Sequence, residues 1–222
     1  MIEKLDEILL SENVVKNFYE SLKDKKFKNW ILQILPEVED CKNLNQDNPW
    51  HIYNCLDHIL HSVEEINRMS QDLSKETRRL LAYTMFLHDI GKPSCHLRRY
   101  SKKYGREIDS FFNHNLASKK IAGRVAKSFG FSKQEQAQIE MLIELHDIFM
   151  FITLHDDGNR FHHVLTPEYL NSEISKLDAV GDGKSLMKLL VIVGIADNKA
   201  QNPQMTKSSL HTLDVINEML QQ

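Results

Sequence analysis

Two stretches of this sequence are apolar on nearly every side at helical spacing: residues 80–87 (LLAYTMFL) and residues 186–200. A helix without a polar face has to be enclosed by protein. The longest strongly apolar run, residues 189–196, is far shorter than the ~20 residues a bilayer span requires. The chain must therefore build enough other helices to surround two buried ones. Its composition allows this, with only 8 glycines and 5 prolines among 222 residues to break helices and 41% hydrophobic residues to form a core. No alternating strand pattern exceeds four residues. The expected fold is all-α, a single globular helical bundle over residues 1–222.

The remaining pattern fills in the bundle. A mixed-charge helix is expected over the first 25 residues, where Ser11 can cap a segment carrying Val14, Val15, Phe18, Tyr19 and Leu22 on one face. A short helix through Trp30 and Ile34 stops near Pro36, and residues 40–50 read as a polar turn. Helices follow over 52–69, 76–88, 113–129 (ending at Gly130) and from Ser132 to His146. Further helices follow from Pro167, over 186–200 and over 210–220. Residues 94–112 form a basic connection, and 153–163 read as a loop. The net charge of −3 gives no overall basic footprint for nucleic acid. Three cysteines provide no disulfide framework, and the start, MIEKLDEILL, has no signal-peptide core. A cytoplasmic protein without a membrane anchor is expected.

The chemistry concentrates where apolar helices meet polar residues. Phe86-Leu87-His88-Asp89-Ile90-Gly91-Lys92-Pro93 places a histidine and an aspartate at the end of a buried helix, with a lysine just beyond. Imidazole nitrogen and carboxylate oxygen both bind divalent metals. His-Asp pairs also occur at 146–147 and 155–156, without the Gly-Lys. His58 lies on the helix whose apolar side is Leu56, Ile59 and Val63, with His61 competing for the same role. Asp197 emerges from an apolar helix, where a buried unpaired carboxylate would be costly. His114 opens one helix and His146 closes the next. His58, His88, Asp89, His114, His146 and Asp197 thus form a candidate ligand set that a helical bundle can gather at one point. His51, His96, His155, His162 and His163 have plainer structural readings, and the cysteines read as small hydrophobes.

The order H…HD…D, with HDIGKP after a hydrophobic helix, resembles the HD superfamily of metal-dependent phosphohydrolases. The stretch LPEVEDCKNLNQDNPWHIYNCLDHILHSVE, then LAYTMFLHDIGKP, FFNHNLASKKIAGRVAKSFGFS, IELHD and IADNKAQNP, is similar to the HD region of bacterial tRNA nucleotidyltransferases over about residues 30–203. The nucleotidyltransferase head has no room here, so a stand-alone HD domain with terminal helical extensions is expected. Carried over by position, the resemblance implies His58, His88, Asp89 and Asp197 as core metal ligands. His114 and His146 would then be ligands where two ions bind. Asp147 stands where some relatives carry a second histidine, which leaves one ion or two open, and Mn, Fe, Ni, Co, Zn and Mg are not distinguished.

What the resemblance implies is a divalent-metal-dependent phosphohydrolase that uses activated water to cleave a phosphomonoester or phosphodiester of a nucleotide or related small molecule. Asp89 would orient the attacking oxygen, and Lys92 would offset charge on the phosphoryl group. Arg98 and Arg99, in the basic segment LRRYSKKYGRE, would line a rim attracting phosphate. The alternative is a non-catalytic module binding RNA or a nucleotide, although nucleic acid is the less favoured partner. Apolar residues in the end helices would allow a homo-oligomer.

Overall fold

Short polar side chains start most of the helices by accepting backbone N–H groups that have no partner in the first turn. The computed structural model describes residues 1–221; the unit expected over 1–222 ends one residue beyond, outside the described residues. In chain order the helices are α1 (Ile2–Leu9), α2 (Val14–Leu22), α3 (Lys25–Ile34), α4 (Glu37–Asn43), α5 (Cys55–Met69), α6 (Lys75–Leu87), α7 (His114–Val125), α8 (Lys133–Leu145), α9 (Pro167–Leu177), α10 (Gly183–Lys199) and α11 (Lys207–Met219). Asn54 caps α5 through the Asp57 amide at 2.8 Å, and Ser74 caps α6 through that of Thr77 at 3.2 Å. Ser132 and Glu135 form a reciprocal capping box on α8. Thr166 caps α9, whose first residue is Pro167, and Asp182 caps α10. The fold is all-α and globular. Among the described residues, no helix is long and apolar enough to cross a membrane.

Burial follows the apolar pattern. Every residue of 80–87 is buried, and the α6 they belong to packs against α1, α5, α7, α8 and α10. Helix α10 packs on α5, α6, α8, α9 and α11, with Leu186, Met187, Leu190, Val191 and Val193 buried. Of the two hydroxyls inside the α6 run, that of Thr84 is satisfied locally, donating to the Leu80 carbonyl at 2.9 Å. The N-terminal helices are fastened to this core by polar contacts. Tyr83 and Arg79 both donate to Asp6, at 2.7 and 2.9 Å, and Asn67 donates to the carbonyls of Leu9 and Ser11 at 2.8 Å.

Three local expectations are corrected. The first 25 residues form two helices, and Ser11 is not a cap: its hydroxyl turns back to the Ile8 carbonyl while α5 holds the bend through Asn67. Helix α4 runs through Asn43, so only the latter part of 40–50 is irregular. The basic connection contains an antiparallel hairpin, β1 (Leu97–Ser101) with β2 (Arg106–Ser110), turning through Gly105 at φ 64°. It escapes the alternation rule because β1 is exposed along nearly its whole length, so backbone pairing rather than a buried face defines it. A two-residue parallel pair, β3 (Ile152–Thr153) and β4 (His163–Val164), crosses the loop that follows α8.

The turn after α6 is pressed directly onto α7. The Gly91 amide donates to the Ser118 hydroxyl at 2.9 Å. A Cβ at Gly91 would stand 2.5 Å from the Ser118 backbone nitrogen and 2.7 Å from the Ala117 Cβ. Gly91→Ala is therefore expected to force these segments apart at a cost of about 2 kcal/mol. Thermal denaturation should show it as a fall in melting midpoint of roughly 4–8 °C; an unchanged midpoint would mean the turn yields freely.

Candidate metal centre

Residues at or near four helix ends supply the site, and backbone carbonyls there hold the histidine rings. Helix α6 stops at Leu87, and its last turn tightens, with the Lys92 amide bonding to the Asp89 carbonyl at 3.0 Å. That turn brings His88 and Asp89 to the same side. The His88 Nδ1–H donates to the Met85 carbonyl at 2.6 Å. His146, at the end of α8, uses the Ile143 carbonyl at 2.7 Å, and His114, at the start of α7, uses that of Phe111 at 2.8 Å. All three reach a carbonyl three residues upstream. His58, in the first turns of α5, donates to the Ala200 carbonyl just past α10, at 3.3 Å. These partners assign the ring proton to Nδ1 in the neutral imidazoles. Each Nε2 then presents a lone pair inward.

What those lone pairs face is negative. His58 Nε2 lies 3.1 Å from Asp89 Oδ2 and 2.9 Å from Asp197 Oδ1, and His88 Nε2 lies 3.3 and 3.4 Å from the same oxygens. The two Nε2 atoms are 3.3 Å apart. On the other side of Asp89, His114 Nε2 is 3.0 Å from Oδ1 and 3.3 Å from His146 Nε2. Asp89 Oδ1 and Asp197 Oδ1 are buried without an aligned hydrogen-bond donor, and Asp89 Oδ2 has only the Lys92 ammonium. Orphaned buried oxygens beside converging lone pairs are unfavourable unless a cation lies among them. The donor set fits a divalent ion, and two overlapping groups, His58-His88-Asp89-Asp197 and Asp89-His114-His146, could each hold one.

Lys92 is 4% exposed and stands beside this set. Its Nζ contacts Asp89 Oδ2 at 2.5 Å as an ion pair and donates to Gln46 Oε1 at 2.9 Å and to His51 Nε2 at 3.0 Å. It is thus committed to acceptors inside the protein and is not an exposed phosphate grip. Burial alone would raise the Asp89 carboxyl, but the fields of His88 and Lys92 hold it well below its usual range. Asp197 is likewise held low against burial, through His58 and His88.

The six candidate ligands therefore meet. His61 does not join them; it pairs with Glu64 at 3.1 Å and lies against Tyr53. Arg98 is engaged by Asp47, Glu107 and Asp109, which brace the hairpin. Arg99 lies on the Phe112 ring at 4.4 Å. His155 and Asp156 are exposed, and His162 pairs with Asp157 in the same loop. A groove of about 530 Å³ beside α4, lined by Glu37, Asp40 and Ile90 among others, includes none of the ligand set.

Three site residues were not singled out from sequence. Gln46 and His51 come from the irregular stretch before α5. His51 is fixed by donating Nδ1–H to Asn48 at 2.8 Å. Asp147, noted in the sequence only as standing where some relatives carry a second histidine, faces His114 and His146.

The chain matches no known family model. It is similar to a bifunctional uridylyltransferase/uridylyl-removing enzyme of Cereibacter sphaeroides, 26% identical over 125 residues. The match covers 50% of this chain and 12% of that relative's length.

The electrostatics generate a test. Against burial, which opposes protonation, the Asp89 and Asp197 carboxylates push His88 from 6.5 up to about 10. A group with a raised folded-state pKa stabilises the fold below its unfolded value and loses that contribution as pH rises through the folded one. Protein stripped of metal should therefore lose stability between pH 6.5 and about 10. A divalent cation at 100 times its Kd should offset this by about 2.7 kcal/mol, raising the melting midpoint by roughly 5–10 °C. Melts in EDTA and in manganese across this range would check it; coincident curves would count against the centre.

Proposed function

We propose that this protein is a divalent-metal-dependent phosphohydrolase of the HD type, acting on a phosphomonoester or phosphodiester of a nucleotide or related small molecule. The observation that carries this reading is the convergence of four imidazole rings on Asp89 and Asp197, whose Oδ1 atoms are buried without a hydrogen-bond donor. A surface that only binds RNA or a nucleotide has no need of such a cage. The relative's name adds a chemical hint, because removing a uridylyl group breaks a phosphodiester bond. That enzyme's other activity and its substrates are not carried over.

In this reading His58, His88, Asp89 and Asp197 are metal ligands, with His114 and His146 completing the set beyond Asp89. A divalent cation held there supplies Lewis acidity and makes water nucleophilic near neutral pH. Asp89 has the central part, since its two oxygens serve opposite sides of the site and can accept a proton bond from attacking water. Lys92 fixes Asp89 and contributes a permanent positive charge next to the reacting phosphoryl group. Gln46 and His51 hold Lys92 in that position. Arg99, exposed on the hairpin, is the rim cation that would meet substrate phosphate.

Purified protein should hydrolyse bis-p-nitrophenyl phosphate, a nucleotide or a cyclic nucleotide with Mn, Co, Ni or Mg. EDTA and Asp89→Ala should abolish turnover. Lys92→Met should lower kcat by about 10²-fold, the scale for losing one electrostatic group in a buried site. Absence of turnover with every metal and substrate class, or full activity in Asp89→Ala, sinks the proposal. Tight RNA binding that survives Asp89→Ala would point to a binding module.

A further inference from the structure

A lysine ammonium ends a flexible four-carbon stem, so its position depends on the acceptors and walls around it. For Lys92, two of the acceptors, Gln46 and His51, lie in the irregular segment 46–51 before α5. Phe111, the residue after β2, stands against another side, with its ring centroid 5.4 Å from Lys92 Nζ. Within the segment, Asn48 Oδ1 accepts from the amides of Trp50 and His51 and from the His51 ring, which ties its members together. What then fixes the segment itself lies outside the metal centre.

The fastening is a crosswise exchange between Asp47 and Asp109. The Asp109 amide donates to the Asp47 carbonyl at 2.9 Å, and the Asp47 amide donates to Asp109 Oδ2 at 2.8 Å. The Asp47 carboxylate takes one arginine from each strand of the hairpin, Arg106 on Oδ1 at 2.7 Å and Arg98 on Oδ2 at 2.8 Å. Asp109 Oδ1 accepts from Arg98 at 3.2 Å and meets His96 Nε2 at 2.9 Å, and the His96 ring stacks on Phe111. Farther along the segment, the Trp50 ring meets that of Tyr104 edge-on at 5.9 Å. The segment is also tied to the chain beyond α10, where Asn202 gives its amide to the Trp50 carbonyl at 2.7 Å and its side-chain N–H to that of Pro49 at 2.9 Å.

We infer that Asp47, with Arg98, Arg106 and Asp109, is a latch that positions Lys92, docking the hairpin on segment 46–51 and thereby setting the ammonium against Asp89. The inference rests on the proposed function for the part Lys92 plays in turnover, and on the contacts alone for how Lys92 is held. The polar contacts of the four latch residues run to one another, to His96 and to Glu107, and not to the ligand set, so they are positioning residues. Single ion pairs between half-exposed side chains contribute little, whereas several charges that share partners form a network that holds a geometry. Gln46 adjoins Asp47 in the chain, and Phe111 lies two residues beyond Asp109. Release of the latch therefore loosens Lys92 on both of these sides.

The test reads Lys92 directly. Full-length protein would be treated with limiting acetic anhydride, and acetylation of Lys92 followed by mass spectrometry against that of exposed Lys207. Lys92 is expected to be protected in the wild type. Asp47→Ala should raise its rate about 5-fold, the scale of two lost half-exposed ion pairs. Arg106→Gln should act in the same direction, and Asp47→Glu, which keeps the charge, should restore most of the protection. Melting midpoints within about 4 °C of the wild type would show that the variants are folded. In turnover, Asp47→Ala should lower kcat about 5-fold with KM little changed. It should add nothing to Lys92→Met, because the latch acts through that lysine, whereas a merely structural role would give additive losses. Unchanged Lys92 reactivity in Asp47→Ala overturns the inference, as does an additive double variant. A wild-type chain without hydrolysis overturns the proposed function instead, and the acetylation rates then decide the latch by themselves.

Discussion

The site depends on one repeated interaction: an imidazole Nδ1–H given to a backbone carbonyl at or beside a helix end. The last turns of α6 and α8, the turn before α7 and the residue after α10 each offer such a carbonyl, and each receives a histidine ring. The bond satisfies the backbone and fixes the ring's tautomer and orientation. Four Nε2 lone pairs are thereby aimed at one small volume. Because that volume also contains the oxygens of Asp89 and Asp197, local satisfaction of the backbone produces a global electrostatic problem that a cation solves.

The bundle keeps this arrangement rigid. Helices α6 and α10 pack on each other and on both α5 and α8, and these two, with the most continuous apolar character, deliver His88-Asp89 and Asp197 from their C-terminal ends. An apolar helix is held in place by packing on all sides, so a polar residue at its end inherits that precision. The close seat of Gly91 against α7 ties the position of His114 to that of His88. Lys92 continues the same turn, and Gln46 and His51 constrain it from the opposite side. Nearly every side chain of the centre is therefore fixed by a second contact of its own.

Much of this was legible in the residue order. The nearly all-apolar runs in 80–87 and 186–200 read as buried helices, and the structure buries the whole of the first and most of the second. The helix starts at Ser132 and Pro167 read correctly because capping and the fixed φ of proline are local chemistry. His58, His88, Asp89, His114, His146 and Asp197 stood out as polar residues on or beside apolar helices, and they converge. The failures have the opposite cause. The hairpin over 97–110 has no buried face to leave a period in the sequence. The break between α1 and α2 is held by Asn67, more than 50 residues away.

The same division separates the ligands from their supporters. Helix identity, burial and the candidate set follow from patterns within a dozen residues, because hydrophobic periodicity and capping are short-range. The roles of Gln46, His51 and Asp147 follow only from contacts across the fold. Gln46 and His51 lie in an irregular polar stretch and gain meaning only when Lys92 is packed against them. Asp147 was marked only by its position in the resemblance, and its contact with the His114 ring depends on α7. Side chains 33 positions apart meet only if the packing of α7 on α8 allows it, and no local pattern encodes that distance.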